Sequence, residues 1–360
     1  MRRTVYVSLA LALVLGLAGC GGSKSGTPAP QPDSKAKAPE AAPAQAQAPV
    51  AKPPTITVKV GSTEKAALKN LPLFLNGVAE QEGIKVEYVE FKGGAEVSKA
   101  LLNGDVDLAL TTVDTVFKDK SGEFRLLSMV TNGPGQALIV DNQAKDSIKS
   151  VKDLVGKTVG VSSIGSGPHK TLLDLLAANG IDSKSVQVVP VGLDAREVLG
   201  TGRVQAMVTI EPYISLVEKA GTGVILVDAR KPDGIKAIYK TVEVPWIALI
   251  STTGYIKDHG DAVQRLVNTV SKSLQFIAAN PGAKISAQAP SFFKDEVKGD
   301  ETLFTKMLED NKATFSANGQ FNPDSMGILW KRLQDGGSVP KDKQFDMPGF
   351  VDAKYLQNVK

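Results

Sequence analysis

The sequence predicts an α/β fold, because strand-like and helix-like stretches alternate from Thr55 to Asp228. Beyond Asp258 the pattern turns helical, and 360 residues leave room for two lobes with ample core. Alternation at this spacing implies β–α units and a mostly parallel sheet, followed by a C-terminal helical segment.

Residues 55–60 alternate and meet Gly61, the pattern of a half-buried strand ending in a turn. A helix starts at Asn70-Leu71-Pro72, since proline suits a first turn, and runs to a left-handed cap at Gly83. Residues 84–91 form the next strand. Gly93-Gly94 opens a helix closed by Asn103-Gly104, and 106–110 is a short apolar strand. Strands follow at 124–131 and 137–140, a short helix at 150–154 and a strand at 158–162. Residues 168–179 read as a helix ended by Gly180, with strands at 186–191 and 205–210 behind it. A helix spans 211–220, with Pro212 near its start and Gly221 past its end, and 224–228 is a strand. The tail holds helices at 262–279, 301–316 and 323–334.

Composition removes several function classes. The 42 lysines and arginines against 38 acids leave a formal charge of +4, too little to argue for nucleic acid without a long basic run. The single cysteine, Cys20, excludes an internal disulfide framework and a cysteine-based metal cluster. His169 and His259 stand 90 positions apart, so no histidine-rich metal site is expected. Gly165-Ser-Gly-Pro-His-Lys170 lacks the third glycine of a dinucleotide loop, and Gly160-Val-Ser-Ser-Ile-Gly165 is one residue too long for a nucleophile elbow. A Ser-His-Asp triad would need His169 or His259, and neither has a catalytic setting; His259 reads as an exposed helix-start residue. The expectation is no enzyme, no cofactor and no metal.

The first segment reads as an address. Met1-Arg2-Arg3 is basic, and residues 4–19 are apolar apart from Thr4 and Ser8. Those 16 residues fall short of the about 20 that cross a bilayer. A small-residue end at Leu17-Ala18-Gly19-Cys20 completes a signal-peptide layout over 1–19. Leu-Ala-Gly-Cys resembles the bacterial lipobox, which implies that Cys20 is acylated (a palmitate-type lipid) and becomes the first residue. The protein is then anchored to the cell membrane on its extracytoplasmic side. Removing 1–19 takes away two arginines and no acid, for a mature formal charge of +2. Residues 20–54 follow as acylated cysteine and Ala/Pro-rich linker. The last 32 of them hold 9 alanines and 8 prolines and no aromatic, too little apolar surface to offset the entropy of ordering. Proline keeps such a stretch extended as a semi-rigid stalk.

Four stretches carry a family resemblance. They are Asn70-Leu-Pro-Leu-Phe-Leu75 through Glu82-Gly-Ile-Lys-Val-Glu87, and Gly94 through Ala100-Leu-Leu-Asn-Gly-Asp-Val-Asp107. Val151-Lys-Asp-Leu-Val-Gly-Lys-Thr-Val-Gly-Val161 and Val198-Leu-Gly-Thr-Gly-Arg-Val-Gln-Ala206 with Glu211-Pro212 complete the set. In this order they resemble the substrate-binding lipoproteins of ABC importers, in the nitrate, sulfonate, taurine and pyrimidine-precursor group. The resemblance implies the type II periplasmic-binding-protein architecture: two lobes, two hinge crossovers near 131–137 and 231–246, and a ligand in the cleft. Lobe I would be 55–135 and 231–360, and lobe II 136–230. The implied partners are a small-molecule ligand and an ABC permease with its ATPase subunit, the receptor itself being a monomer. The implied ligand is a small sulfonate- or nitrate-like anion. A neutral planar heterocycle such as a pyrimidine precursor is the alternative ligand, and an extracytoplasmic enzyme or interaction lipoprotein the alternative class.

In open α/β sheets ligands sit outside the carboxyl ends of strands, where helices begin. Four loops occupy such places: Gly61-Ser62-Thr63 after the first strand, Thr111 to Asp114, Ser162 to Pro168, and Glu211-Pro212-Tyr213. The third says most. Gly165 and Gly167 let N–H groups converge, Ser162, Ser163 and Ser166 add hydroxyls, and Pro168 opens a helix whose N-terminus attracts an anion. His169 and Lys170 follow in its first turn. Asp114 either receives a ligand amine or caps its helix, and Glu211 either faces the cleft or serves as a first-turn acid. Trp246 either stacks on a ligand or packs. Gly133-Pro134-Gly135 is expected to turn the first hinge.

Overall fold

A computed structural model describes residues 54–359; the expected signal peptide, Cys20 and the expected linker up to residue 53 lie outside the described residues. Among the described residues, ten strands form two five-stranded sheets. In chain order they are β1 (Ile56–Thr63), β2 (Ile84–Phe91), β3 (Leu108–Thr112), β4 (Phe124–Thr131), β5 (Gln136–Asp141), β6 (Thr158–Val161), β7 (Gln187–Pro190), β8 (Ala206–Ile210), β9 (Gly223–Asp228) and β10 (Ile247–Thr252). The first sheet runs β2-β1-β3-β10-β4 and the second β7-β6-β8-β5-β9.

The expected mostly parallel sheet is corrected to a mixed one. β1 pairs in parallel with β2 and β3, and β6 with β7 and β8. β10 is antiparallel to both its neighbours, and so is β5. The reason is topological. β5 and β10 arrive from the other sheet through a crossover, so the helix-bridged connection that keeps sequential strands parallel does not bind them.

The helices named here are α1 (Leu71–Phe74), α2 (Val78–Gln81), α3 (Gly94–Asn103), α4 (Asp114–Phe117), α5 (Gly167–Ala178), α6 (Tyr213–Ala220), α7 (Pro232–Tyr239), α8 (Thr253–Asp258), α9 (Gly260–Ala279), α10 (Gly282–Gln288), α11 (Glu301–Asn311) and α12 (Pro323–Asp335). The single helix expected from Asn70 to Gly83 is two short ones, because Leu75 turns extended and Gly77 sits at φ 83°. Only glycine takes that angle cheaply.

Each sheet is covered on both faces. Val263, Leu266, Val270 and Leu274 of α9 pack on one face of the first sheet, together with Leu71 and Leu73. Val97 and Leu101 of α3 and Met326, Leu329 and Trp330 of α12 pack on the other. The second sheet lies between α5 and α7 on one side and α6 on the other. Each such aliphatic side chain contributes about 1.5–3 kcal/mol on burial, so each lobe has its own core.

The sheets are joined twice. The first passage is residues 132–135. The second was expected over 231–246, but α7 fills its first half, and Ile235, Ile238 and Tyr239 belong to the second lobe's core. Residues 231–239, expected in lobe I, therefore sit with lobe II, and the passage narrows to 240–246. The two passages hydrogen-bond side by side: Val244 N–H donates to the Asn132 carbonyl at 2.9 Å and Trp246 N–H to that of Thr131 at 3.0 Å. In the first passage Gly135 takes φ +62°, and a Cβ on Gly133 would stand 2.7 Å from Ile235 Cδ1.

Candidate functional site

A cleft of about 1050 Å³ opens between the two sheets. The first lobe contributes Thr63 and Lys69 behind β1 and Thr111, Thr112 and Asp114 behind β3. The second contributes Ser162, Ser163, Gly165 and Ser166 behind β6, Gly192 behind β7 and Glu211 behind β8. Thr131, Gln136 and Trp246, at the passages between lobes, complete the wall. The strand ends thus converge where the topology places ligands in such sheets.

The loop before α5 is built to hold its shape. Ser166 is the N-cap, accepting the His169 N–H at 3.3 Å and the Ser162 hydroxyl at 2.9 Å. Gly165, at φ +84°, donates its N–H to His169 Nδ1 at 2.9 Å. His169 is therefore a fastener inside the loop and not a cleft-wall residue, and burial lowers its pKa below the ordinary value. Neutral imidazole is the form that accepts the Gly165 N–H.

Asp114 neither caps α4 nor stands free for a ligand amine. Its carboxylate accepts from the Thr112 hydroxyl, from Lys118 at 2.6 Å and from Lys170 at 3.1 Å, and α4 has no side-chain cap. Lys170 lies on α5, so this pair spans the cleft. Burial pushes the Asp114 carboxyl up, but Lys170, Lys118 and Thr112 outweigh it and hold the pKa at about 2.

Ser62 does not reach the cleft. β1 continues past Gly61 to Thr63, and the fully buried Ser62 hydroxyl donates to the Leu110 carbonyl at 2.9 Å. Thr63 is at the rim, its hydroxyl accepting from Lys69 at 2.6 Å. Glu211 borders the cleft but is spent on the protein. It accepts from Arg230 at 2.6 Å, from the Ser215 N–H and hydroxyl at 3.0 and 2.9 Å, and from Asn311 at 3.2 Å. Burial pushes its pKa up, yet donors converging on both oxygens make an ionised carboxylate the fitting form. Trp246 is half-buried: it lines the cleft and packs with its ring 6.3 Å from that of Tyr239.

Lys69 and Gln136 are among the cleft residues that escaped the sequence reading. Lys69 carries an amine whose pKa burial lowers, Glu64 opposing, and nothing local sets it apart from other lysines. Gln136 is 3% exposed at the head of a strand whose next four residues are apolar, and that break in the apolar pattern is the available signal.

The residues from 79 to 284, more than half of the chain, match the family described as NMT1/THI5 like. The chain belongs to the NMT1/THI5-like family. A curated relative, a putative aliphatic sulfonates-binding protein of Escherichia coli (strain K12), is 25% identical over 193 residues, covering 52% of this chain and 56% of the relative. The alignment thus spans a little over half of that relative. A solved structure from Bordetella bronchiseptica RB50 superposes with a TM-score of 0.70 at 20% identity, over 84% of this chain and 96% of that one. The periplasmic aliphatic sulphonate binding protein SsuA of Escherichia coli gives 0.63 at 19%, over 85% and 99%. The desulfurization enzyme DSZB shares the architecture as well, at 0.60 and 14%, over 84% and 98%. These likenesses show that this NMT1/THI5-like chain has the two-lobed periplasmic-binding-protein fold.

Proposed function

We propose that the protein is an extracytoplasmic receptor, lipid-anchored through Cys20, that captures a small sulfonate- or nitrate-like anion and hands it to an ABC permease. The observation that carries this reading is the cleft. The N-terminus of α5, a serine-lined loop and Lys69 from the opposite wall face one space, and no metal-holding cluster occurs among the described residues. A helix N-terminus favours an anion by about 0.3–1 kcal/mol, and by more when partly buried. The sulfonate-binding relative supports the same ligand class.

In the proposed cycle the ligand enters the open cleft, the lobes close about residues 132–135 and 240–246, and the closed form docks on the permease. The chain itself performs no bond chemistry. Trp246 on the cleft wall keeps a planar heterocycle as the second reading. Calorimetry with nitrate, alkanesulfonates and neutral pyrimidines separates the two. Anion binding with unchanged ligand recovered afterwards is expected; a folded protein silent to every anion would refute the reading.

A further inference from the structure

Gln136 stands where the first passage enters the second lobe, and its side chain is nearly sealed from solvent. Its Oε1 has no hydrogen-bond partner, although the residue borders the cleft. A buried polar group left unmet costs about 1–3 kcal/mol. Its backbone is fixed, since Ala229 N–H donates to the Gln136 carbonyl at 2.8 Å, so the carboxamide is presented from a rigid base. Nε2 lies against the start of α5: a Cβ on Gly167 would stand 2.9 Å from it. Ser166 Oγ already accepts two hydrogen bonds, which leaves its own proton to donate. Donors on Ser166 and Gln136 thus meet at a helix N-terminus beside an unmet acceptor.

We propose that Gln136 is the specificity-determining residue of this cleft, and that the ligand is an oxyanion also bearing a hydrogen-bond donor. The anion's oxygens rest on the α5 N-terminus, Ser166 and Gln136 Nε2, and the ligand's N–H or O–H meets Gln136 Oε1. Exchanging the two ends of the carboxamide preserves the demand for one donor and one acceptor. This inference rests on the anion-receptor reading above and adds what the anion must carry. It also puts the ligand in contact with a hinge strand, so occupancy is felt where the lobes pivot.

The test titrates wild type, Gln136→Met and Gln136→Glu by calorimetry with ethanesulfonate, 2-hydroxyethanesulfonate, 2-aminoethanesulfonate and nitrate. Wild type should bind the two donor-bearing sulfonates about tenfold or more tighter than ethanesulfonate. Gln136→Met, similar in length and without polar ends, should erase that difference and melt no lower than wild type. Gln136→Glu should weaken every anion by repulsion. Equal affinities in wild type, nitrate as the sole ligand, or a preference surviving in Gln136→Met overturns the proposal and leaves the anion receptor standing. Silence of wild type towards all four compounds overturns both. Should Gln136→Met not fold, the wild-type ranking decides alone.

Discussion

Asp114 and Lys170 lie 56 positions apart in sequence, yet they form a bridge across the cleft. The Asp114 side chain is 13% exposed and that of Lys170 39%, so solvent screens the pair only from the lysine side. The folded pKa of about 2 lies below the ordinary aspartate value near 3.9. A depressed carboxylate contributes stability that is fully present above the unfolded value and is lost as pH falls towards the folded one. The contribution is about 2–3 kcal/mol at neutral pH. Asp114→Asn should therefore be less stable than wild type at pH 7 by roughly that amount. The gap should narrow below about pH 4 and close near pH 2, as read from urea midpoints of both proteins across that range. Asp114 borders the cleft, and the small polar turn that carries it after an apolar strand is a local signal in the sequence. That signal could not name Lys170 as the partner, because a contact between lobes leaves no trace in neighbouring residues. The same holds for Glu211 and Arg230, whose buried pair joins two separate strand ends.

Among elements, α5 was legible and α7 was not. Ser166, Pro168 and Gly180 mark both ends of α5 by ordinary capping chemistry, and the helix lies within a residue of expectation. Lys231-Pro232-Asp233-Gly234 carries the residues of a turn, and the family resemblance implies a crossover there. Gly234 is there for another reason: a Cβ would stand 1.9 Å from the Asp228 carbonyl oxygen and 2.3 Å from its carbon. α7 presses on the end of β9 where only a hydrogen fits. Overpacking of this kind costs about 1–3 kcal/mol, and more against backbone than against a movable side chain. Gly234→Ala should lower the melting temperature clearly. Gly254→Ala in α8, where nothing lies within 4 Å, should be neutral or stabilise by up to about 1 kcal/mol. Thermal unfolding of the two variants beside wild type is the check, and equal losses would argue against close approach as the cause. The antiparallel direction of β5 and β10 was likewise hidden, because an apolar run reads the same in both directions.

At the scale of the whole folded part, the lobes are apolar inside and meet one another through charge. Lys219 reaches Asp300 at 2.5 Å, Lys306 reaches Glu218 at 3.2 Å and Arg332 reaches Asp174 at 2.6 Å, each pair joining one lobe to the other. The two lysines are at least half exposed, whereas Arg230 beside them is 1% exposed among Glu211, Asp228 and Asp310. Exposed pairs are worth about 0–1 kcal/mol each, and salt weakens them as the screening length falls from about 10 Å at 0.1 M to about 3 Å at 1 M. Two conformations of such a protein differ by a few kcal/mol, so a handful of weak pairs is enough to set how far the lobes stand apart. Unfolding draws on the apolar cores, which salt does not weaken. Raising sodium chloride from 0.1 to 1 M should therefore increase the radius of gyration of the ligand-free protein while the unfolding midpoint holds or rises. A Lys219→Ala, Lys306→Ala double variant should already scatter at low salt as wild type does at high salt, and should respond less to added salt. Scattering that tightens with salt, or a double variant as compact as wild type, would place the control of closure in the buried Arg230 cluster instead.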